Sequence, residues 1–399
     1  MFDPKNWGPG LNAFGMTVIS DAARPRRRVG VDFHVWDGIF QGSRSHLLGL
    51  YRCAIRQAPE IDFVFFLSGV ESLHANYAEF SLPNVTLVRM RHRSGVVRLA
   101  FQLPWLQWRH RIDLMHLQYR LPPMAAGPCA CPIHDVLFES HPQFFEPRFV
   151  WQSRLTSRAA VRRAAVLLTV SQFSRAELAR IYGIDPLKVG VTFNAVDKTR
   201  FYPGQDGAAT VRALGLEPGR YVLTVGRLEP RKNHLTLLDG YARLQPDAPP
   251  LVIVGQRDFG YAPLFAAIRH HGLEARVRLI ENVSDADLPA LMRHAQVFVY
   301  PAFAEGFGMP VLEALACGVP VITSNTTSLP EVAGDAAILV SPDAADDVAS
   351  ALQRVLADAA LRASLGQAGI VQSAKFSWED SAAVLLSSMR SFFASTADG

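Results

Sequence analysis

Two glutamates eight positions apart, Glu305 and Glu313, bracket a glycine-bearing loop in Val297-Phe-Val-Tyr-Pro-Ala-Phe-Ala-Glu305-Gly306-Phe307-Gly308-Met309-Pro310-Val311-Leu312-Glu313-Ala314. Proline is favoured in the first helical turn, where its missing N–H costs nothing, so Pro310 marks a helix start. Free N–H groups and the partial positive charge of that helix end suit a phosphate. Gly306 and Gly308 let backbone approach a ligand closely. Carboxylates at this spacing do not share one metal simply; each can accept hydroxyl hydrogen bonds at one end of an extended polyol. A second element, Gly226-Arg227-Leu228-Glu229-Pro230-Arg231-Lys232-Asn233-His234, sets Arg227 and Lys232 five apart across a tight loop. Both can converge on one diphosphate.

The first half offers less specific chemistry. Gly42 stands between a strand and a helical pattern, in Gln41-Gly42-Ser43-Arg44. Cys131-Pro-Ile-His134-Asp135 closes another strand. His134 reads either as a residue positioned at a reaction centre or as a core histidine satisfied by Asp135. Cys129, Cys131 and His134 lack a fourth ligand at zinc spacing. Residues 89–111 interleave Arg with Val, Leu, Phe and Trp, including Arg98, Trp105 and Trp108, as in segments that lie at a membrane interface. Pro104 is expected to interrupt any long helix there. A second basic stripe, Arg154, Arg158 and Arg162, repeats every four residues. Like charges on one helix face repel, so an anionic partner, a lipid head group or a lipid-diphosphate acceptor, is one reading and a solvated face is the other.

These residues need a scaffold, and the pattern supplies one. Short apolar runs alternate with helical-period segments. They are Arg28–Phe33, Ile61–Leu67, Val85–Met90, Asp113–Leu117, Cys129–His134, Ala165–Val170 and Val189–Phe193 in the first half. In the second half they are Tyr221–Gly226, Leu251–Gly255, Val277–Ile280, Val297–Pro301, Val319–Thr323 and Ala337–Val340. Runs apolar on both faces are strands of a buried parallel sheet. The expected fold class is α/β, with two doubly wound Rossmann-like domains facing each other across a cleft. The division is an irregular arm over 1–27, a first domain over 28–197 and a second over 198–377, with a helix from about 378 to 399 crossing back to the first. The chemistry-bearing loops all follow strands, at the edge where open α/β sheets bind ligands.

Composition narrows the classes. Of 399 residues, 49% are hydrophobic and 19% charged, which excludes global disorder. Four cysteines exclude a disulfide scaffold. No apolar run reaches spanning length and the N-terminus has no secretory pattern, so a cytoplasmic protein, peripheral to the inner face of the cytoplasmic membrane, is expected. The net charge of +4 hides a basic half and an acidic half: residues 1–199 hold 24 basic and 15 acidic residues. Charge asymmetry of this kind suggests an anionic partner for the basic half.

The Glu305–Glu313 loop with the Arg227/Lys232 pair resembles glycosyltransferase family 4. The resemblance extends through Val170-Ser-Gln-Phe-Ser174, Asn194-Ala-Val-Asp197, Val283-Ser-Asp-Ala-Asp-Leu288 and Ser328-Leu-Pro-Glu331-Val, and covers roughly residues 28–395. It implies the GT-B fold, retention at the anomeric carbon, a nucleotide-sugar donor and a glycan or lipid-linked acceptor. It further implies that Arg227 and Lys232 bind the donor diphosphate, and that Glu305 and the N–H groups of Phe307, Gly308 and Met309 meet the donor sugar. Glu313 would take the ribose, Asn282 and Val283 would flank the base, and Gly42 would lie beside the phosphates. His134 would position donor or acceptor. No metal or other cofactor is expected, since Arg, Lys and a helix end neutralise the leaving diphosphate. Mannose from GDP-mannose is the expected donor from family frequency alone. A rival dinucleotide oxidoreductase needs a Gly-x-Gly-x-x-Gly turn that neither first strand has. Two further rivals are a nucleotide-sugar epimerase of the same fold and a sugar- or nucleic-acid-binding module without turnover. No nucleic-acid partner is expected.

Overall fold

The computed structural model describes residues 26–38, 42–91 and 94–396. The expected N-terminal arm therefore lies outside the described residues up to residue 25, as does Gln41. The first domain is built on seven parallel strands: β1 (Arg28–Asp32), β2 (Asp62–Leu67), β3 (Val85–Arg89), β4 (Leu114–His116), β5 (Cys129–Pro132), β6 (Val166–Thr169) and β7 (Val189–Val191). Their order is β3-β2-β1-β4-β5-β6-β7. The second domain has six: β8 (Val222–Val225), β9 (Leu251–Val254), β10 (Val277–Ile280), β11 (Val297–Tyr300), β12 (Val321–Ser324) and β13 (Ala337–Val340). Their order is β10-β9-β8-β11-β12-β13. In both sheets the order reverses beside the first strand of the domain, which opens a crevice at the strands' carboxyl ends.

The central strands are covered on both faces. Residues of β9, β11 and β12 are buried without exception, so apolar side chains dominate them and no alternation appears. Helix Trp378–Ser395 returns to the first domain, where Ala382, Leu385, Leu386, Met389 and Phe393 join its core. Gly49 on helix Gly42–Gln57 leaves the space that the Trp378 ring occupies. The linker between the domains is buried at Asn194, Ala195 and Val196. The Asn194 side chain meets His46 Nδ1 at 2.8 Å.

One local expectation fails. Helical backbone runs unbroken from Gly95 to Arg109, through Pro104. The stretch Arg98–Gln102 is wound as π-helix, just before the proline. A wider turn there absorbs the hydrogen bond that proline cannot donate, so the helix continues where a regular one would break.

Candidate active site

The loops after β1, β4 and β5 face those after β8 and β9 across a cleft of about 900 Å³. Its lining includes Gly42, Arg98, Gln118, Tyr119 and Asp135 from the first domain, and Arg227, Glu229, Arg231, Lys232 and Asp258 from the second. Arg227 and Lys232 thus reach one space, as their spacing predicts. Each already has a carboxylate partner. Arg227 Nη1 lies 2.6 Å from Asp258 Oδ2 at the rim. Lys232 Nζ is paired with Glu305 and donates to the Tyr300 hydroxyl at 2.7 Å.

Glu305 is the hub of this cluster. It is buried, with Lys232 and the Tyr300 hydroxyl on Oε1, the latter at 2.6 Å, and Arg231 on Oε2 at 3.1 Å. Burial works against its charge, but the two cations and the hydroxyl outweigh that and hold the carboxyl down at about 2. Burial lowers the Lys232 ammonium, against the pull of Glu305. Arg231, which sequence reasoning passes over, also bonds Glu229 and the Ala304 carbonyl, at 2.7 and 2.8 Å. A signal for it exists: three basic residues, not two, stand in the Arg227–Lys232 loop.

The glycine loop runs into a helix start, as Pro310 predicts, but none of Glu305 to Met309 is among the residues that line the cleft. Helix Met309–Ala316 begins after Gly308, whose φ of 103° only glycine adopts readily. Gly306 packs on Asp135: a Cβ there would come 2.7 Å from the Asp135 carboxylate. Asp135 is held in turn by the Leu137 N–H at 3.1 Å, and its burial raises its carboxyl above the usual range. Glu313 is half-buried one turn into the helix and accepts no hydrogen bond among the described residues. Burial pushes its carboxyl up to about 8, with Arg200 opposing and Asp285 reinforcing the shift. Asn282, Val283 and Glu313 lie outside the residues that line the cleft. Asn282 is exposed, and Val283 packs on the second domain's core.

The first-domain wall departs further from expectation. His134 does not pair with Asp135. Its Nδ1 meets the Tyr119 hydroxyl at 3.1 Å, its ring packs on those of His46 and Tyr119, and its Nε2 is buried without a partner. Burial, with His46 and His116 nearby, drives its pKa well below the ordinary histidine value. Tyr119 and Asp135 line the cleft at this point, with His134 one layer behind. Tyr119 holds the unusual φ of 58° and also bonds Ser43 at 2.8 Å. Gln118 beside it is buried with both ends of its amide unpartnered. Neither residue carries a motif that sequence reading detects. Arg98 is not on the outer surface with Trp105 and Trp108; it turns into the cleft and pairs with Asp32 at 3.4 Å. Arg154 likewise leaves the expected stripe, bound to Glu139 at 2.8 Å, while Arg158 and Arg162 are exposed.

Two sequence stretches far apart meet in a clasp between the domains. Ser171 caps helix Gln172–Tyr182 and donates its hydroxyl to the Gly306 carbonyl at 2.7 Å. Glu331 accepts the N–H groups of Gln172 and Phe173 at 2.9 and 3.2 Å. Ser328 donates to the carbonyls of Glu305 and Phe307 at 2.8 and 2.9 Å. Thr327, at a φ of 55°, accepts the Glu305 N–H at 3.0 Å. The loop carrying Glu305 is thus fixed from both domains.

Comparison with known proteins agrees with this geometry. Residues 22–200 match the family model described as Glycosyltransferase Family 4, and residues 211–372 match that of Glycosyl transferases group 1. O-antigen chain mannosyltransferase B of Escherichia coli is 33% identical over 252 residues, 62% of this chain and 66% of that protein. A D-inositol 3-phosphate glycosyltransferase of Rhodococcus opacus is 34% identical over 54% of this chain and 50% of its own. The chain therefore spans between half and just under two thirds of the length of these curated relatives. Sucrose-phosphate synthase of Thermosynechococcus elongatus shares the fold with a TM-score of 0.73 at 22% identity, over 93% of this chain and 100% of its own. With the two paired sheets, the cleft between them and the Glu305 loop, the chain belongs to the glycosyltransferases of GT-B fold, its first half a family 4 domain and its second a group 1 domain.

Proposed function

We propose that this protein transfers a hexose, mannose from GDP-mannose, with retention onto a saccharide or lipid-linked saccharide in the assembly of a bacterial surface polysaccharide, at the inner face of the cytoplasmic membrane. The observation that carries the reading is the Glu305 hub. A buried carboxylate keeps Lys232 and Arg231 charged and aimed at the cleft, close to a helix N-terminus. Fixed cations and dipoles of this kind stabilise a departing nucleoside diphosphate without reorganising. Both Glu305 oxygens are engaged by the protein, Oε1 twice and Oε2 once, so Glu305 first organises the cations, and one lone pair on Oε2 is left for a sugar hydroxyl.

The acceptor hydroxyl attacks the anomeric carbon on the face from which the diphosphate leaves. The bond to the leaving oxygen breaks, and that phosphate oxygen takes the acceptor proton. His134, buried and neutral, supports Tyr119 in the wall rather than acting as base. The mannosyl preference rests on the Escherichia coli relative's name. Donor hydrolysis across a panel of GDP-, UDP- and ADP-sugars, with and without EDTA, tests it. The expected outcome is highest turnover with GDP-mannose and rates in EDTA within about twofold of the control, because the protein's own cations take the role a metal would have. A preference for another donor overturns the mannose assignment, and a strict divalent requirement overturns the account of the leaving group.

A further inference from the structure

The unbroken helix Gly95–Arg109 is amphipathic in an unusual sense: both of its faces are apolar. Leu103 and Leu106 point inward and are buried, with Leu99 packed beside them. Val97, Phe101, Trp105 and Trp108 follow one another at helical spacing on the opposite side and are 38%, 69%, 55% and 70% exposed. Helix Pro147–Arg163 repeats the pattern, with Trp151 and Leu155 exposed at 67% and 50%. Among the described residues the exposed tryptophans are these three, and all lie on these two helices. A soluble monomer seldom leaves so much aromatic surface in one region uncovered.

Charge identifies the cover. Neither residues 94–111 nor residues 147–163 contain an acidic residue. Arg109, Arg111, Arg158, Arg162 and Arg163 are exposed and form no ion pair among the described residues. Tryptophan and phenylalanine beside unpaired arginine fit the boundary between acyl chains and anionic head groups, where rings enter the apolar layer and guanidinium groups stay at the phosphates. The loop over residues 119–128 joins the two helices. Gln107 Nε2 donates to the Pro128 carbonyl at 2.9 Å, and Arg120 reaches Gln152 at 3.4 Å. Met124 on this loop is 77% exposed. Both helices also contribute to the cleft, Arg98 from one and Phe149, Ser153 and Thr156 from the other.

We infer that the outer face of helices Gly95–Arg109 and Pro147–Arg163 docks the protein on an anionic lipid bilayer, with Phe101, Trp105, Trp108 and Trp151 entering the interface. Docked this way, the first domain's side of the cleft stands at the membrane surface. The wider turn at Arg98–Gln102 is what lets one helix serve both places, turning Arg98 to the cleft while the next turns present their rings outward. This deepens the acceptor half of the function proposed above and rests on its premise that the acceptor is carried by a membrane. The surface is read by lipid partition and the donor site by hydrolysis, so failure of one is distinguishable from failure of the other.

The test is co-sedimentation of the full chain with vesicles of phosphatidylcholine alone and of phosphatidylcholine mixed with phosphatidylglycerol. Tryptophan emission is followed in parallel. Binding to the mixed vesicles with a blue shift is expected, weakening as salt is raised. The combined exposed-site variant Phe101→Ser, Trp105→Ser and Trp108→Ser should lose partition by about tenfold or more. Arg158→Gln with Arg162→Gln should lose it on the anionic vesicles only. Thermal melting and donor hydrolysis confirm that each variant is folded. Absence of binding by the parent chain, equal binding by the aromatic variant, or equal binding to neutral vesicles overturns the proposal. So does a concentration-dependent dimer, in sedimentation velocity, that the aromatic variant abolishes; the face would then belong to a second copy of the chain.

Discussion

On the second domain's side of the cleft, Glu305, Lys232, Arg231 and Tyr300 satisfy one another through short contacts, and Arg227 is paired at the rim. On the first domain's side, Gln118 is buried with its amide oxygen and nitrogen both unpartnered, and the helix that supplies Arg98 leaves three large rings in solvent. One wall has its charges paired before any ligand arrives, with Arg231 Nε left as a buried atom without a hydrogen bond among the described residues; the other has more polar and apolar groups still to be satisfied. An electrostatic site that must meet a departing diphosphate benefits from being fixed in advance. A surface that receives a polyhydroxylated acceptor, and a partner as large as a bilayer, must keep groups in reserve.

Breaking the paired wall should cost most. Lys232→Met leaves Glu305 buried with Arg231 and Tyr300 alone and removes a cation from the leaving group, so turnover is expected to fall by about a thousandfold. Glu305→Gln should fall comparably, since it releases both cations from their hub. The same variant reports on stability. The Glu305 carboxyl lies below its unfolded value, so its ionised form stabilises the fold above about pH 4.5, and that contribution is lost as pH falls toward 2. Acid unfolding followed by circular dichroism should be shallower in Glu305→Gln than in the parent chain. Turnover within tenfold of the parent in both variants would remove the donor hub from the mechanism.

The unfinished wall should respond differently. Gln118→Leu removes two hydrogen-bonding atoms that no protein group uses, so the fold should gain or hold stability. Transfer to a saccharide acceptor should weaken by about tenfold to a hundredfold, mostly in the acceptor KM, because a buried amide built for hydroxyls is replaced by a side chain that makes no hydrogen bond. Comparing acceptor transfer with donor hydrolysis checks this. A loss that falls on hydrolysis instead would place Gln118 on the donor's side.

The same division governs what is legible in the sequence. All thirteen expected strands form, with no end shifted by more than two residues; the central ones are legible because a strand buried on both faces writes itself as an uninterrupted apolar run. Arg227, Lys232 and Glu305 are legible because a loop between strand and helix fixes their neighbours in sequence and in space together. Gln118 and Tyr119 are not, since each is an ordinary residue that tertiary packing alone carries to the cleft, and neither is Asp32, buried behind it as the partner of Arg98. Arg98 and Arg154 depart from expectation for a related reason. Spacing on a helix predicts a shared face, but the wide turn at Arg98 and the carboxylate of Glu139 decide which way these two point. The clasp of Ser171, Glu331 and Gly306 joins motifs that are distant in the chain, with nothing in the linear order to show that they touch.

Glu313 offers a pH test of the nucleoside end. Its carboxyl is pushed up to about 8 by burial, so folding keeps it protonated where the unfolded chain would ionise. The resulting loss of stability grows between about pH 4.5 and 8 and is constant above, and Glu313→Gln should remove it. Ribose hydroxyls favour the ionised acceptor, so donor binding should release a proton below pH 8. Affinity should tighten by about tenfold from pH 6 to 8 and then level off. Calorimetry in buffers of different ionisation enthalpy reads the proton directly; no release at pH 7 would remove Glu313 from the ribose.

The smallest effect belongs to the clasp between the walls. Glu331 sits on the second domain and accepts two N–H groups at the start of helix Gln172–Tyr182 in the first. Those donors have no partner within their own helix, so a carboxylate from across the cleft satisfies them and complements the helix end at once. Glu331→Ala leaves both domains' cores intact and removes the attraction only in the closed arrangement. The open arrangement exposes the same N–H groups to water, where their loss is small. The equilibrium should shift toward opening, with kcat lowered a few-fold and a larger radius of gyration in small-angle scattering. Glu331→Gln keeps one good acceptor and should lie between. If Glu331→Ala leaves both radius and kcat as they were, the other contacts between the domains, Ser171 and Ser174 on the Gly306 carbonyl and the stacked rings of Phe144 and Phe303, suffice to hold the closed arrangement without it.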